Sequence, residues 1–551
     1  MRWNWSRAEA ARGTWRVPSE SVAWRIASAN VNPGMTSSWN SKSLTGMKFG
    51  LLANFAGTGA SAVAQLACIP LYVKFLGIEG YGLIGFYLML QTLLQVLDLG
   101  LSPTVNREMA RYSVKPEKAA EARDLVRTLE FGYWLIGLVL GATLLAAASW
   151  IAAHWIKSSV LPVSSITQAV MLMGILAVFQ WPISFYQGAL MGLHRQVLFN
   201  ILKVIAVTLS NGGAVLILWL VSPTIEAFLV WQISISAAQV VLIAFFLWSS
   251  LPRSERPPRF NPSIIRSVWR FAAGMSGITL IGLILTQVDK VLVSKLLTLR
   301  VFGYYSLAWT VSNGLLIISS AVFNVIFPRM SAQVAASDEN GIRQSYHRGA
   351  QLMAVLVLPL AAVLSFFSFD ILRLWTGSTE TAAFDARILT VLVVGSALNA
   401  LLYLPYALQL AFGWTKLSFV AGLLSVAILI PLLFPITKYF GAVGAASMWA
   451  ALNTLNMLVV VPVMHRRLLR GEAWRYFGDI GLPLISTVGI AVLGRLVIAD
   501  LTSPVVMFAC VSSVWLGCLV AAILAAPHIR SWALTQLMNV KVQMTRYGSV
   551  G

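Results

Sequence analysis

Residues 51–112 read LLANFAGTGASAVAQLACIPLYVKFLGIEGYGLIGFYLMLQTLLQVLDLGLSPTVNREMARY. The stretch is apolar or small as far as Val73, then meets Lys74 and the glycines Gly77, Gly80 and Gly82, and runs apolar again to Asp98. Each run is close to the ~20 residues that a helix needs to cross a bilayer core. Two membrane-spanning helices joined by a short glycine-bearing loop are therefore expected. The second ends in Asp98, Gly100 and Pro103, and the basic residues Arg107 and Arg111 follow.

The rest of the chain continues the pattern. Of its 551 residues, 58% are hydrophobic and 11% charged, against about 25% charged in soluble domains, which excludes a soluble globular protein. Apolar runs place spans near 49–73, 81–105, 129–152, 165–190, 198–221, 226–249, 270–295, 303–327, 349–369, 385–410, 416–435, 441–464, 478–499 and 503–526. This is an all-α polytopic membrane protein of about 14 transmembrane helices. Residues 1–46 stand apart: polar, basic and carrying Trp3, Trp5, Trp15, Trp24 and Trp39, they read as a disordered or surface-lying extension, with Met35 or Met47 as alternative starts. They lack the apolar core of a signal peptide.

The formal charge is +20, from 40 Lys and Arg against 20 Asp and Glu. Here the lipid surface explains it better than nucleic acid does, because basic loops flank spans on the cytoplasmic side. Alternating the loops puts 31 of those 40 cations on the side of the termini. Both termini are thus expected in the cytoplasm. One missed span would scramble that asymmetry.

Several chemistries are absent. Cys68, Cys510 and Cys518 lie in apolar runs with no CxxC, and His154, His194, His347, His465 and His528 are scattered with no HExxH. No metal site or disulfide framework follows. His154 and His194 read as interfacial residues at helix ends. There is no GxxxxGK[ST] motif, so any driving energy comes from an ion gradient or from the substrate's own gradient. The loops opposite the termini are short, the longest near 370–384, which weighs against a polymerase or ligase. No enzyme activity and no cofactor are expected.

A faint repeat is visible. Shifting residues 71–109 by 221 positions pairs Leu71 with Leu292, Lys74 with Lys295, Leu76 with Leu297, Gly82 with Gly303, Leu94 with Leu315 and Met109 with Met330. Both copies read lysine, short loop, aromatic-Gly (Tyr81-Gly82, Phe302-Gly303), then a span. Two such halves with a substrate site between them are common in transporters.

At these segments, and at residues 285–331 (LTQVDKVLVSKLLTLRVFGYYSLAWTVSNGLLIISSAVFNVIFPRMS), the sequence resembles the polysaccharide transporter (Wzx-type flippase) family of the multidrug/oligosaccharidyl-lipid/polysaccharide (MOP) exporter superfamily. Lys74 to Gly82, Asp98 to Gly100, Asp289, Gly303-Tyr304 and Phe327-Pro328 match its pattern. The resemblance implies two six-helix lobes around a central cavity plus two C-terminal helices, which sets the boundaries at 47–250, 251–268 (basic linker), 269–466, 467–526 and 527–551 (tail). It also implies movement of polyprenyl-diphosphate-linked oligosaccharide to the outer leaflet for surface polysaccharide synthesis (O-antigen, exopolysaccharide or capsule). Its partners would be the lipid-linked oligosaccharide, membrane lipids, and the polymerase and chain-length proteins of such a pathway. A cation-coupled multidrug exporter of the same superfamily, or a membrane-embedded glycosyltransferase or polymerase, is the alternative.

Such a protein must shelter a diphosphate and a glycan, and ionisable groups inside a membrane are functional candidates by default. Lys290, Lys203 and Arg107 are the candidate cations for the diphosphate. Gln91, Asn211, Asn313, Asn399 and Asn453, with Gln65, are amides for a sugar-lined cavity or for joining helices. Asp289 and Asp98 are the candidates for ion coupling. The structural alternatives are that Asp289 pairs with a neighbouring helix while Lys290 and Lys203 snorkel outward, that Asp98 caps a loop, and that Arg107 serves topology alone. Lys74 and Lys295 read as outer anchors.

Overall fold

The computed structural model describes residues 41–96, 98, 100–498, 503–532 and 535, with side chains from Gln65 onward except at 96, 116 and 265–279. The extension 1–46 lies outside the described residues as far as residue 40, and the tail from 536 lies outside them entirely.

Fifteen α-helices make up this described chain: α1 Ser41–Val96, α2 Leu101–Ser113, α3 Ala119–His154, α4 Val163–Gly192, α5 Gln196–Leu220, α6 Ile225–Ser250, α7 Pro262–Leu296, α8 Leu299–Ala335, α9 Glu339–Phe366, α10 Ser368–Thr376, α11 Thr379–Ala411, α12 Lys416–Leu455, α13 Val461–Leu468, α14 Ala473–Val497 and α15 Pro504–Ala525. Several starts are written in the local sequence. The side chains of Thr224, Asn261, Thr298, Asp338 and Ser378 each accept a backbone N–H of the turn they open, which satisfies a donor that the first turn would otherwise leave bare. Gly377 ends α10 with φ 67, a conformation that suits glycine.

Eleven helical segments are long and apolar enough to cross a membrane. Two of them hold two crossings each. α1 breaks at Gly77 (φ 71) and α12 at Gly441 (φ 61). A straight helix would hold Gln65 and Gln91 about 39 Å apart, yet both line one cavity, so α1 folds back at Gly77. Its second arm continues past residues 97–100 as α2, and α12 continues through a π-turn, 456–460, into α13. With α7, 35 residues long, the described residues account for the expected fourteen crossings. The helices outrun the expected spans: α3 begins at Ala119 instead of 129, because its first ten residues form a charged helical face outside the apolar slab.

Helices α2 to α6 pack chiefly on one another, as do α7 to α13, while α14 and α15 lean on α9. The loops divide between a basic end, which holds the 114–118, 193–195, 251–261, 336–338 and 469–472 connections, and a charge-poor end. At the charge-poor end the two halves close on each other. The Leu299 N–H donates to the Lys157 carbonyl at 2.7 Å, and Lys157 Nζ donates to the Leu296 carbonyl at 3.1 Å. Lys295 is part of this seam: its Nζ donates to the His154 carbonyl at 2.7 Å beside the rings of Trp150 and Trp155. Its repeat mate Lys74 is exposed. Glu79 buttresses the seam from the N-terminal half, accepting from the hydroxyls of Ser158 and Ser159 and from three backbone N–H groups of residues 159–161.

Candidate functional site: an amide-lined cavity

Both arms of α1, with α2, α4, α5 and α6, line a cavity of about 750 Å³. Its wall is built by helical spacing. Gln91 and Gln95, Ser102 and Asn106, Gln180 and Gln187, and Gln232 and Gln239 all line it, in pairs four or seven residues apart that share a helix face. Gly188 and Gly192 bring α4 against α2. A Cβ at Gly188 would lie 2.5 Å from the Ser102 carbonyl oxygen, and one at Gly192 would strike that of Asn106. Only this close approach carries Ser102 and Asn106 to the same wall as Gln187.

The amides are ordered by one another. Gln91 Nε2 donates to Gln180 Oε1 at 2.9 Å, and Gln180 Nε2 donates to the Tyr87 hydroxyl at 2.5 Å. Ser210 donates to Gln232, and the Tyr72 hydroxyl to the Asn211 carbonyl at 2.9 Å. Among the described residues, Lys203 is the one lysine or arginine in the lining and Asp98 the one carboxylate. Asp98 sits where the helix breaks. It accepts the Ser102 N–H (3.1 Å), the Ser102 hydroxyl (3.0 Å) and the Tyr133 hydroxyl (2.5 Å), and Gly100 beside it takes φ 77. Asp98 thus caps α2 and lines the cavity at once. A broken helix at membrane depth is tolerated where it borders such a cavity.

A second polar cluster lies outside the lining, between α7 and α8. Lys290 and Asp289 are buried, with Nζ 3.6 Å from Oδ1. Lys290 also donates to the Thr286 carbonyl at 2.5 Å and rests 3.4 Å over the Trp309 ring, while the Tyr305 hydroxyl donates to Asp289 Oδ2 at 2.5 Å. Adjacent helical residues diverge by about 100°, which argues against a shared target. The lysine stem nonetheless bends back to the carboxylate instead of reaching outward. Asp289 is bonded to a neighbouring helix, through Tyr305 of α8.

The structure gathers Gln91, Asn211, Lys203 and Asp98, with Gln65, into the cavity. It places the other candidates elsewhere. Arg107 pairs with Glu108 at 2.5 Å on the basic end. Asn313 is exposed outside the lining, and Asn399 Nδ2 donates to Asn453 Oδ1 at 2.8 Å, joining α11 to α12. Sequence reading passed over Gln95, Gln180, Gln187, Gln232 and Gln239, although glutamines recurring at helical spacing within apolar runs were the available signal. It also passed over His347, buried between Asp479 (Nδ1 to Oδ2, 2.5 Å) and Glu472 (Nε2 to Oε2, 3.2 Å), with Gln351 donating to Asp479 at 2.6 Å. This cluster joins α9 to α14. His154 and His194 do lie at the ends of α3 and α4.

Residues 72–383 match the family described as polysaccharide biosynthesis protein. A Shigella flexneri protein that carries the name O-antigen transporter is 24% identical over 406 residues, 72% of this chain and 94% of that one. A Haloferax volcanii protein named as the low-salt glycan biosynthesis flippase Agl15 is 26% identical over 226 residues, 40% of this chain and 47% of that one. Among solved structures, the lipid II flippase MurJ in an inward closed conformation superposes with a TM-score of 0.63 at 15% identity, covering 85% of this chain and 98% of that one. An inward-facing MATE-family multidrug transporter of the MOP superfamily superposes with a TM-score of 0.62 at 14% identity, covering 74% and 94%. At those identities the superpositions establish a shared fold.

Proposed function

Since the chain belongs to the polysaccharide biosynthesis protein family, we propose that it is a flippase, moving polyprenyl-diphosphate-linked oligosaccharide across the inner membrane for surface polysaccharide synthesis. The observation that carries this reading is the cavity, with its ordered glutamines and, among the described residues, one lysine in its lining. Glutamine and asparagine offer both donors and acceptors, the complement of sugar hydroxyls. Lys203 supplies the charge that meets the diphosphate. The polyprenyl tail stays in lipid, where it needs no protein.

In this reading the basic end is cytoplasmic, because 31 of 40 Lys and Arg fall on that side, and both termini lie there. The seam at the charge-poor end then keeps the cavity shut from outside while the glycan loads. A diphosphate crosses only where charge compensates it, since one central charge costs about 2.5–3.5 kcal/mol on insertion scales. Asp289 and Asp98 are the carboxylates that would hold a coupling ion, and Arg107 is a first contact at the mouth. The protein transports and catalyses no covalent step, and its substrate comes from glycosyltransferases and passes to a polymerase and chain-length proteins. A multidrug exporter would be served by an aromatic, acidic cavity; this lining has aromatic side chains, but among the described residues it holds one carboxylate, already committed to capping α2.

The test is the leaflet on which lipid-linked oligosaccharide accumulates when the gene is deleted. The cytoplasmic leaflet supports the reading. Normal export in the deletion strain overturns it.

A further inference from the structure

Asp385 stands in the second turn of α11, at the charge-poor end of the bundle. It is fully buried, and neither carboxylate oxygen has a hydrogen-bond partner among the described residues. No described lysine, arginine or histidine pairs with it. Tyr81, from the second arm of α1, and Tyr304, from α8, are titratable side chains close enough to feel its charge. Tyr304 is engaged by Arg300 and stacks on Phe384, with ring centres 5.5 Å apart. On its own helix Glu380 is bound by Arg300 and Arg387 is exposed. Asp370 of α10 is taken by Arg495 at 2.6 Å, and Lys438 of α12 is exposed. The ionisable residues of α9 (Glu339, Arg343, His347, Arg348) belong to its opposite, basic-end turns.

Its place in the seam gives this orphan its meaning. Tyr81 lines the cavity, its hydroxyl 3.5 Å from Thr310 Oγ1. The next residue, Gly82, lies against the Leu299 carbonyl. Asp385 follows Phe384, whose ring stacks on Tyr304 next to Gly303, so it sits beside the crossing at which the two halves meet. An ionised carboxylate there, fully buried from bulk solvent, would have neither a donor nor a cation among the described residues, a state that costs far more than holding a proton. Water reaching the carboxyl after the halves part removes that cost.

We propose that Asp385 is a proton-binding site that gates the seam: the charge-poor end closes only with the carboxyl protonated, and opening it releases that proton to the water entering from that side. Closure takes up one proton per molecule and nothing else changes covalently. This rests on the reading of the protein as a transporter whose seam opens during its cycle, and it adds the species that controls the opening. By linkage, one proton bound on closure changes the open-to-closed ratio about tenfold per pH unit while the exposed carboxyl is ionised.

The experiment uses the full chain in lipid nanodiscs, with its three cysteines replaced and spin labels at V160C and T379C, exposed sites on the two sides of the seam. Distance distributions are recorded across the pH range without substrate. The wild-type background should shift toward the long, open distance as pH rises, by about tenfold per unit in ratio. Asp385→Asn should remove that dependence and favour the short distance at every pH, and Asp385→Glu should keep the dependence. The same pH slope in Asp385→Asn as in wild type overturns the proposal. So does a wild-type distribution that ignores pH, a reading that stands even if the Asn variant fails to accumulate. Flipping assayed separately distinguishes the two ideas: a pH-gated seam without flipping overturns the flippase alone, and flipping with a pH-blind seam overturns the gate alone.

Discussion

Gly82 and Gly303, 221 positions apart in sequence, meet the same crossing from its two sides. A Cβ on Gly82 would lie 2.7 Å from the carbonyl oxygen of Leu299, and one on Gly303 would strike the carbonyl oxygen of Ile78. Ile78 and Leu299 are themselves 221 apart, and so are Gly85 and Ser306, which face each other in the same crossing. The two contacts exchange under the repeat, as a local two-fold axis through the Gly85–Ser306 pair requires. A register supported by six identities in the sequence is thus restated by backbone contacts.

Because the crossing has no room for a side chain, Gly303→Val and Gly82→Val should each weaken the seam. Overpacking of this kind costs about 1–3 kcal/mol, which favours the form with the charge-poor end parted. Labelling of S306C by a membrane-impermeant maleimide applied from outside should rise in either variant. Unchanged labelling would mean that the crossing does not set the closed state.

Lys203 is the cation of the cavity wall, so Lys203→Ala should lower polysaccharide export about tenfold or more at matched membrane abundance, as expected for losing about 1.5–3 kcal/mol of charged hydrogen bonding. Lys203→Arg should retain most export. Equal export by the Ala variant and wild type would remove Lys203 from substrate handling.

Breaking the Asp289–Lys290 pair strands one buried charge. Lys290→Ala and Asp289→Asn should each lower the thermal stability of detergent-purified protein, a buried unpaired charge costing about 3–5 kcal/mol. Asp289→Asn combined with Lys290→Met should recover part of it. Export by Asp289→Asn at matched abundance then separates coupling from folding, and full export returns the pair to a structural role.

His347 holds α14 to α9 through Asp479 and Glu472. His347→Ala leaves Asp479 with Gln351 alone, so α14 and α15 should loosen. Trypsin should then cleave after Arg470, an exposed residue in the 469–472 connection, faster than in wild type. An unchanged cleavage rate would show that apolar packing suffices to hold the last two helices.

Reporter fusions after residues 115, 258 and 470 should report cytoplasm, and a fusion after 378 should report the other side. The first three follow connections of the basic end, and the last follows α10 at the charge-poor end. A reversed result at 470 alone would place the error among α9 to α13.

The number and order of crossings were legible in the chain because each is a local event: twenty apolar residues commit to a helix in lipid wherever their neighbours lie. The cation asymmetry between loops is equally local. Asp98, Lys203, Gln91 and Asn211 could be named as cavity candidates because polar groups in apolar runs are costly enough to stand out. Which of them share a wall depends on how helices rotate about their axes and how closely they approach, and Gly188 and Gly192 settle that only once α2 lies against α4. The same holds for Asn399, which could as well have faced sugar as Asn453, and for Asp385, whose carboxylate has no hydrogen-bond partner among the described residues. Sequence specifies what each helix must bury; only tertiary packing decides which buried group meets another and which is left alone, because side-chain pairing acts over a few ångströms between segments that may be hundreds of residues apart.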